Sequence, residues 1–147
     1  MLRTVLFTIL FLPLAAVAQS DEDLQVLYTR FLEDRGYETG IDSDGDVTFK
    51  IDGRTYFIET ADSDLQYFRM ALPNIWPIES EKERIQATAA ANKATAQLIV
   101  AKVYVVNDNV WVATEILLGS YKDFALVFDR CLDLIDNGVD AYVSGMQ

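Results

Sequence analysis

The chain has 147 residues, 51% of them apolar, with 23 acidic against 12 basic side chains, a formal net charge of −11 and no histidine. That charge has the wrong sign for a DNA or RNA groove and for anionic lipid surfaces. The missing histidine removes the commonest general base, the commonest transition-metal ligand and every serine triad that relies on an imidazole.

Met1-Leu2-Arg3 carries one positive charge, an apolar run follows from Val5 to Leu12, Pro13 breaks it, and small residues lead to Ala16-Val17-Ala18. This is the order of a secretory signal: a basic start, a short apolar core and an A-x-A cleavage site. The apolar core is too short to span a bilayer as a helix. The expected organisation is a signal peptide over 1–18 and a single domain over 19–147, exported to the periplasm or secreted, free and soluble.

Ser20 is placed to cap a first helix, with acids at its positive end and Leu24, Leu27, Tyr28, Phe31 and Leu32 on one face. Gly36 ends it. The period then changes to two. Val47, Phe49 and Ile51 alternate with polar residues up to Asp52-Gly53, a type I′ hairpin signal. A two-residue turn there pairs Phe49 with Tyr56, Val47 with Ile58 and Lys50 with Thr55. Asp44-Gly45 marks a second turn, which makes Tyr37–Ile41 a first strand. Leu65–Leu72 reads as a further strand that runs into a corner between Pro73 and Pro77.

Ser80 and Glu83 form a capping box that starts an alanine-rich helix through about Thr95. Leu98–Val106 and Val110–Leu118 form a second hairpin about Asp108-Asn109. Ser120 and Asp123 cap a third helix with Tyr121, Phe124, Phe128, Cys131, Leu132 and Ile135 in one stripe, and Gly138 is its expected stop. The fold class is α+β with a mainly antiparallel sheet, in the order α-β-β-β-(β)-α-β-β-α.

The runs Asp52-Gly53-Arg54-Thr55-Tyr56-Phe57-Ile58 and Leu72-Pro73-Asn74-Ile75-Trp76-Pro77-Ile78, then Ala101-Lys102-Val103-Tyr104-Val105-Val106 with Asn109-Val110-Trp111, resemble the bacterial YbjN family. The family is described as sensory-transduction regulators, and its fold is similar to that of type III secretion chaperones. Those are small acidic homodimers that bind extended segments of other proteins. The resemblance implies a protein-binding shape and brings no catalytic residue. A leader departs from the chaperone pattern, since those chaperones work in the cytosol.

The residues themselves offer little chemistry. Asp42, Asp44 and Asp46 alternate around Gly45, but Val47 and Gly53 stand where an EF-hand loop needs its glycine and its glutamate, so a solvated hairpin tip is the simpler reading. Glu59 and Glu115 are the best-placed pair of acids for a small secreted hydrolase. A cross-strand ion pair with Lys102, opposite Glu115, accounts for Glu115 without catalysis. Cys131, the only cysteine, falls in an apolar stripe and reads as an inert core thiol. No catalytic residue, cofactor or metal site is expected.

The second hairpin carries the main functional signal. One face, with Ile99, Ala101, Val103 and Val105 beside Val112, Thr114, Ile116 and Leu118, belongs in the core. The other carries Val100, Tyr104, Val106, Trp111 and Leu117 around Lys102 and Glu115. A water-facing side is more polar than this. Either a helix covers it, or a partner chain does, and tyrosine and tryptophan beside a charged pair suit an interface. The partner is then a protein or a second copy of the chain, with the acidic N-terminal half steering basic partners.

Overall fold

Asp52 and Gly53 have φ of 50° and 78°, both in the left-handed region that a type I′ turn requires. They join β2 (Val47–Ile51) to β3 (Arg54–Ile58) in the expected register, Phe49 opposite Tyr56 and Val47 opposite Ile58. The computed structural model describes residues 21–60 and 64–147. The leader over 1–18 and the Ser20 cap lie outside the described residues. β1 (Glu38–Ile41) pairs with β2 across the Gly45 turn. β4 (Tyr67–Pro77), β5 (Ala101–Val106) and β6 (Asn109–Leu117) complete a six-stranded antiparallel sheet in the order β1-β2-β3-β4-β6-β5.

Three helices, α1 (Asp21–Asp34), α2 (Glu81–Gln97) and α3 (Phe124–Met146), pack on one face. Leu24, Tyr28 and Leu32 of α1 are buried as their spacing predicts. The rings of Tyr28 and Phe31 meet Phe124 edge-on with centroids 4.8 Å apart, and Phe31 meets Phe128 at 5.1 Å. Such pairs contribute about 0.5–1.5 kcal/mol each beyond the area they bury. Ala87, Ala90, Ala91 and Ala94 form the buried side of α2, which lets it lie close to α3 and β5. The α+β class and the antiparallel sheet are as expected.

Four local expectations are corrected. The strand from Leu65 does not end in a proline corner: β4 continues to Pro77 with a register shift between Leu72 and Trp76, where Asn74 adopts φ 57°. That bulge absorbs the proline pair without breaking the strand. Glu83 completes only half a capping box. Ser80 Oγ accepts from Glu83 N–H at 3.2 Å, but the Glu83 carboxylate accepts from Trp76 Nε1–H at 2.9 Å and Glu79 N–H at 2.8 Å instead of returning to Ser80. The second hairpin turns at Asn107-Asp108, with Val106 opposite Asn109, so Lys102 faces Ala113 rather than Glu115.

Gly138 does not stop α3. The helix passes through it to Met146, and a Cβ there would come within 2.6 Å of Val112 Cγ1. The glycine is a point of close approach between helix and sheet.

Candidate protein-interaction face

The side of the sheet away from the helices is the expected unusual surface. Its register brings Glu59, just past the end of β3, into one row with Arg69 of β4 and Glu115 of β6. Glu59 N–H donates to Arg69 C=O at 3.1 Å, and Arg69 stands directly opposite Glu115. The Arg69 guanidinium bonds the Glu59 carboxylate through Nη1, donates to the Tyr104 hydroxyl through Nη2 at 2.6 Å, and has Nε 3.8 Å from Glu115 Oε1. Lys102 Nζ ion-pairs Glu115 from β5. The predicted Lys102–Glu115 bridge therefore forms, but diagonally, because the turn is placed two positions away in register.

The row is only about one-fifth exposed: 20% for the side chain of Arg69 and 23% for Glu59 and for Glu115. Burial works against the Arg69 cation, but the hydrogen bond to Glu59 and the oxygen of Tyr104 more than offset it and hold its pKa above the ordinary value. Tyr67, two residues before Arg69 on β4 and opposite Leu117, is pushed up to about 12 by burial and by the Glu115 charge.

An apolar row lies next to the charged one. Phe57, Ala71 and Ala113 are buried in line across β3, β4 and β6, with Trp111 and Tyr104 packed against them. The Trp111 ring meets Phe57 edge-on at 5.7 Å, and Arg69 lies 5.6 Å over the Phe57 ring. Every member of this cluster is on a strand. Among the described residues no helix covers this face.

Of the five residues expected at a partner surface, Tyr104, Val106, Trp111 and Leu117 fall on this face by register, and Leu117 is 74% exposed. Val100 does not. It precedes β5 with φ 70° and lines a groove against α3. Arg69 and Phe57 were not singled out from the sequence. The alternation of β3 and β4 puts each on the outer face, but only the pairing of β4 with β6 makes Arg69 the centre of the row.

The other candidates resolve simply. Glu59 and Glu115 are both held to Arg69, and neither lines the cleft of about 360 Å³ at the β4 bulge or the groove beside α3. Asp42 Oδ1 accepts from the N–H groups of Asp44 and Asp46, both at 3.0 Å, and Asp46 Oδ1 accepts from Thr60 N–H at 2.9 Å. Asp46 is buried rather than part of a solvated tip, and burial raises its pKa against the opposing Thr60 hydrogen bond. Among the described residues no group of acids, cysteine or histidine is arranged to hold a metal ion. Cys131 is fully buried. Burial raises its thiol pKa, opposed by a hydrogen bond with Thr114 and the Arg130 charge, so it is not an activated nucleophile.

No family model matches the chain, and no curated protein matches it. Among solved structures it is similar to one described as "Crystal structure of YbjN, a putative transcription regulator from E. coli", with a TM-score of 0.58 and 14% identity over 78% of this chain and 87% of that one. The chain has the YbjN fold. That neighbour is described as a regulator and not as an enzyme. No helix of the described residues is long and apolar enough to cross a membrane.

Proposed function

We propose that this protein is an exported, non-enzymatic binding module that holds a protein partner on the helix-free face of its sheet, with a second copy of the chain as its first occupant. The Phe57–Trp111–Tyr104 cluster beside the Arg69 row carries the reading. Aromatic residues and arginine are the types enriched at interface cores, and a buried charge network there gives register to the contact. Export follows from the pattern of Met1 to Ala18.

Local charge favours self-association. Glu38, Glu59 and Glu115 on this face are matched by Lys50, Arg69 and Lys102. A neutral face on a chain of net charge −11 is where two copies meet with least repulsion. A regulatory role would then run through protein contacts, since the overall charge opposes nucleic acid.

The test is the solution mass of the chain from Gln19 to Gln147, measured by light scattering, with Trp111→Glu and Leu117→Glu as variants. The wild type should have the mass of a dimer. Both variants should read as monomers with unchanged far-UV circular dichroism. Leu117→Glu keeps the test open if Trp111→Glu fails to fold, because Leu117 is exposed. A monomeric wild type that also crosslinks to no periplasmic protein sinks the proposal.

A further inference from the structure

A second surface feature lies apart from the outer face, where α2 has ended and β5 has not begun. Ala101 N–H donates to Ile99 C=O at 2.8 Å, closing a γ-turn around Val100 at φ 70°. A β-branched residue is rare in the left-handed region. The turn breaks the strand alternation that would have put Ile99 in the core and Val100 on the outer face. Ile99 is instead 79% exposed, and Val100 is turned towards α3.

The result is a groove of about 300 Å³. Its walls are Ile99, Val100 and Ile116 on the sheet side and Val127 and Leu134 on α3, with Cys131 at its floor. The size is at the small end for a ligand site, and the lining is apolar with one charged group, the pattern such sites share. That group is Arg130. It forms no ion pair among the described residues, and no acidic side chain lines the groove. On a chain of net charge −11, a cation left unpaired beside an apolar slot selects for a ligand that is apolar along its length and negative at one end.

We propose that this groove binds a single amphipathic anion, an alkyl chain of medium length with a carboxylate or phosphate head set against Arg130. The chain fills the slot between Ile99 and Leu134 and the head remains at the rim, where Arg130 can solvate it. This site is independent of the outer face and stands whether or not the protein dimerises.

The experiment is a calorimetric titration of the Gln19–Gln147 chain with octanoate, decanoate and dodecanoate, each below its critical micelle concentration, beside the neutral dodecanol. Expected are one site per chain and affinity that rises by up to about fourfold per added methylene until the groove is full. Arg130→Gln should weaken dodecanoate by about tenfold and leave dodecanol unchanged. Leu134→Asp should abolish both while far-UV circular dichroism stays that of the wild type. Amide shifts on binding should centre on Ile99, Val100, Cys131 and Leu134. Non-saturable uptake, or equal dodecanoate affinity in wild type and Arg130→Gln, overturns the proposal. A further arm offers phosphatidylglycerol vesicles in place of free ligand. No co-sedimentation is expected, and co-sedimentation lost in Leu134→Asp would replace the free-ligand site with a membrane contact.

Discussion

The Thr95 hydroxyl accepts from Val103 N–H at 2.8 Å and donates to Val103 C=O at 2.9 Å. One side chain at the end of α2 thus satisfies both outward backbone groups in the middle of β5, the last strand of the sheet. An edge strand with free backbone groups is a template for another chain, and natural sheets cover or blunt such edges. Here a helix supplies the cover at Val103, which favours the outer face over the β5 edge as the proposed partner surface.

Thr95→Val keeps the shape and removes both bonds. The Val103 N–H and C=O then lie half-buried without partners, at a cost of about 1–3 kcal/mol. Urea denaturation should show that loss. The variant should also gain slow, concentration-dependent association through the opened edge, read by light scattering. Full stability in Thr95→Val would mean that the hydroxyl is not what protects the edge.

Gly138 makes a second testable contact. Alanine is favoured over glycine in a helix interior by about 1 kcal/mol, so Gly138→Ala would stabilise an isolated α3. In the folded chain the new methyl lands 2.6 Å from Val112 Cγ1, with Leu98 and Val103 side chains at 3.6 Å. Val112 is fully buried and stiff at χ1, so it yields only by disturbing its neighbours. A net loss of about 1–3 kcal/mol is expected from overpacking. Combining it with Val112→Ala should recover part of that loss, a coupling that a thermodynamic cycle on thermal or urea unfolding would reveal.

These two sites show where sequence reasoning holds and where it fails. The β2–β3 register was legible because Asp52-Gly53 permits only a two-residue turn, and the turn fixes every pair behind it. The second hairpin offers Asn107, Asp108 and Asn109 with no glycine among them, so the turn could be read one residue late and the pairing two positions off. The Glu59–Arg69–Glu115 row was not legible at all. β4 pairs with a strand that follows it only after α2, and no local turn sets that register. Gly138 reads as a stop because propensity knows nothing of Val112 across the interface. The outer face itself was visible, since apolar residues on both sides of a hairpin need two coverings.

Asp46 links stability to pH. Burial raises its pKa above the ordinary carboxylate value, and the Thr60 hydrogen bond only partly opposes this. The folded state therefore binds this proton more tightly than the unfolded chain does. Its contribution to stability rises as pH falls through the folded value, and the burial cost is fully present above it. Asp46→Asn keeps an oxygen for Thr60 N–H and removes the charge. It should be at least as stable as the wild type at pH 7 and should flatten the stability profile just above the ordinary carboxylate range. Asp46→Ala leaves the Thr60 N–H without its acceptor and should cost about 1–3 kcal/mol below the folded Asp46 pKa, and less above it, where the wild type carries the burial cost of the charge. Urea midpoints across pH 4 to about 7 separate the three chains.

The Arg69 row gives the sharpest mutational contrast. Removing Arg69 alone leaves Glu59 and Glu115 in line, four-fifths covered, with Lys102 reaching only Glu115. Arg69→Leu should cost about 2–3 kcal/mol, somewhat less than breaking a wholly buried pair, because solvent reaches part of the row. Converting all three members together, Glu59→Gln, Arg69→Leu and Glu115→Gln, removes the charges with their cation and should regain most of that stability. Lys102→Ala, on a side chain half exposed to water, should cost under about 1 kcal/mol. Chemical denaturation of the four chains decides the matter. If Arg69→Leu is no worse than Lys102→Ala, the row is an ordinary surface pair. If the triple variant is stable yet loses the dimer mass, the charges serve recognition and not folding.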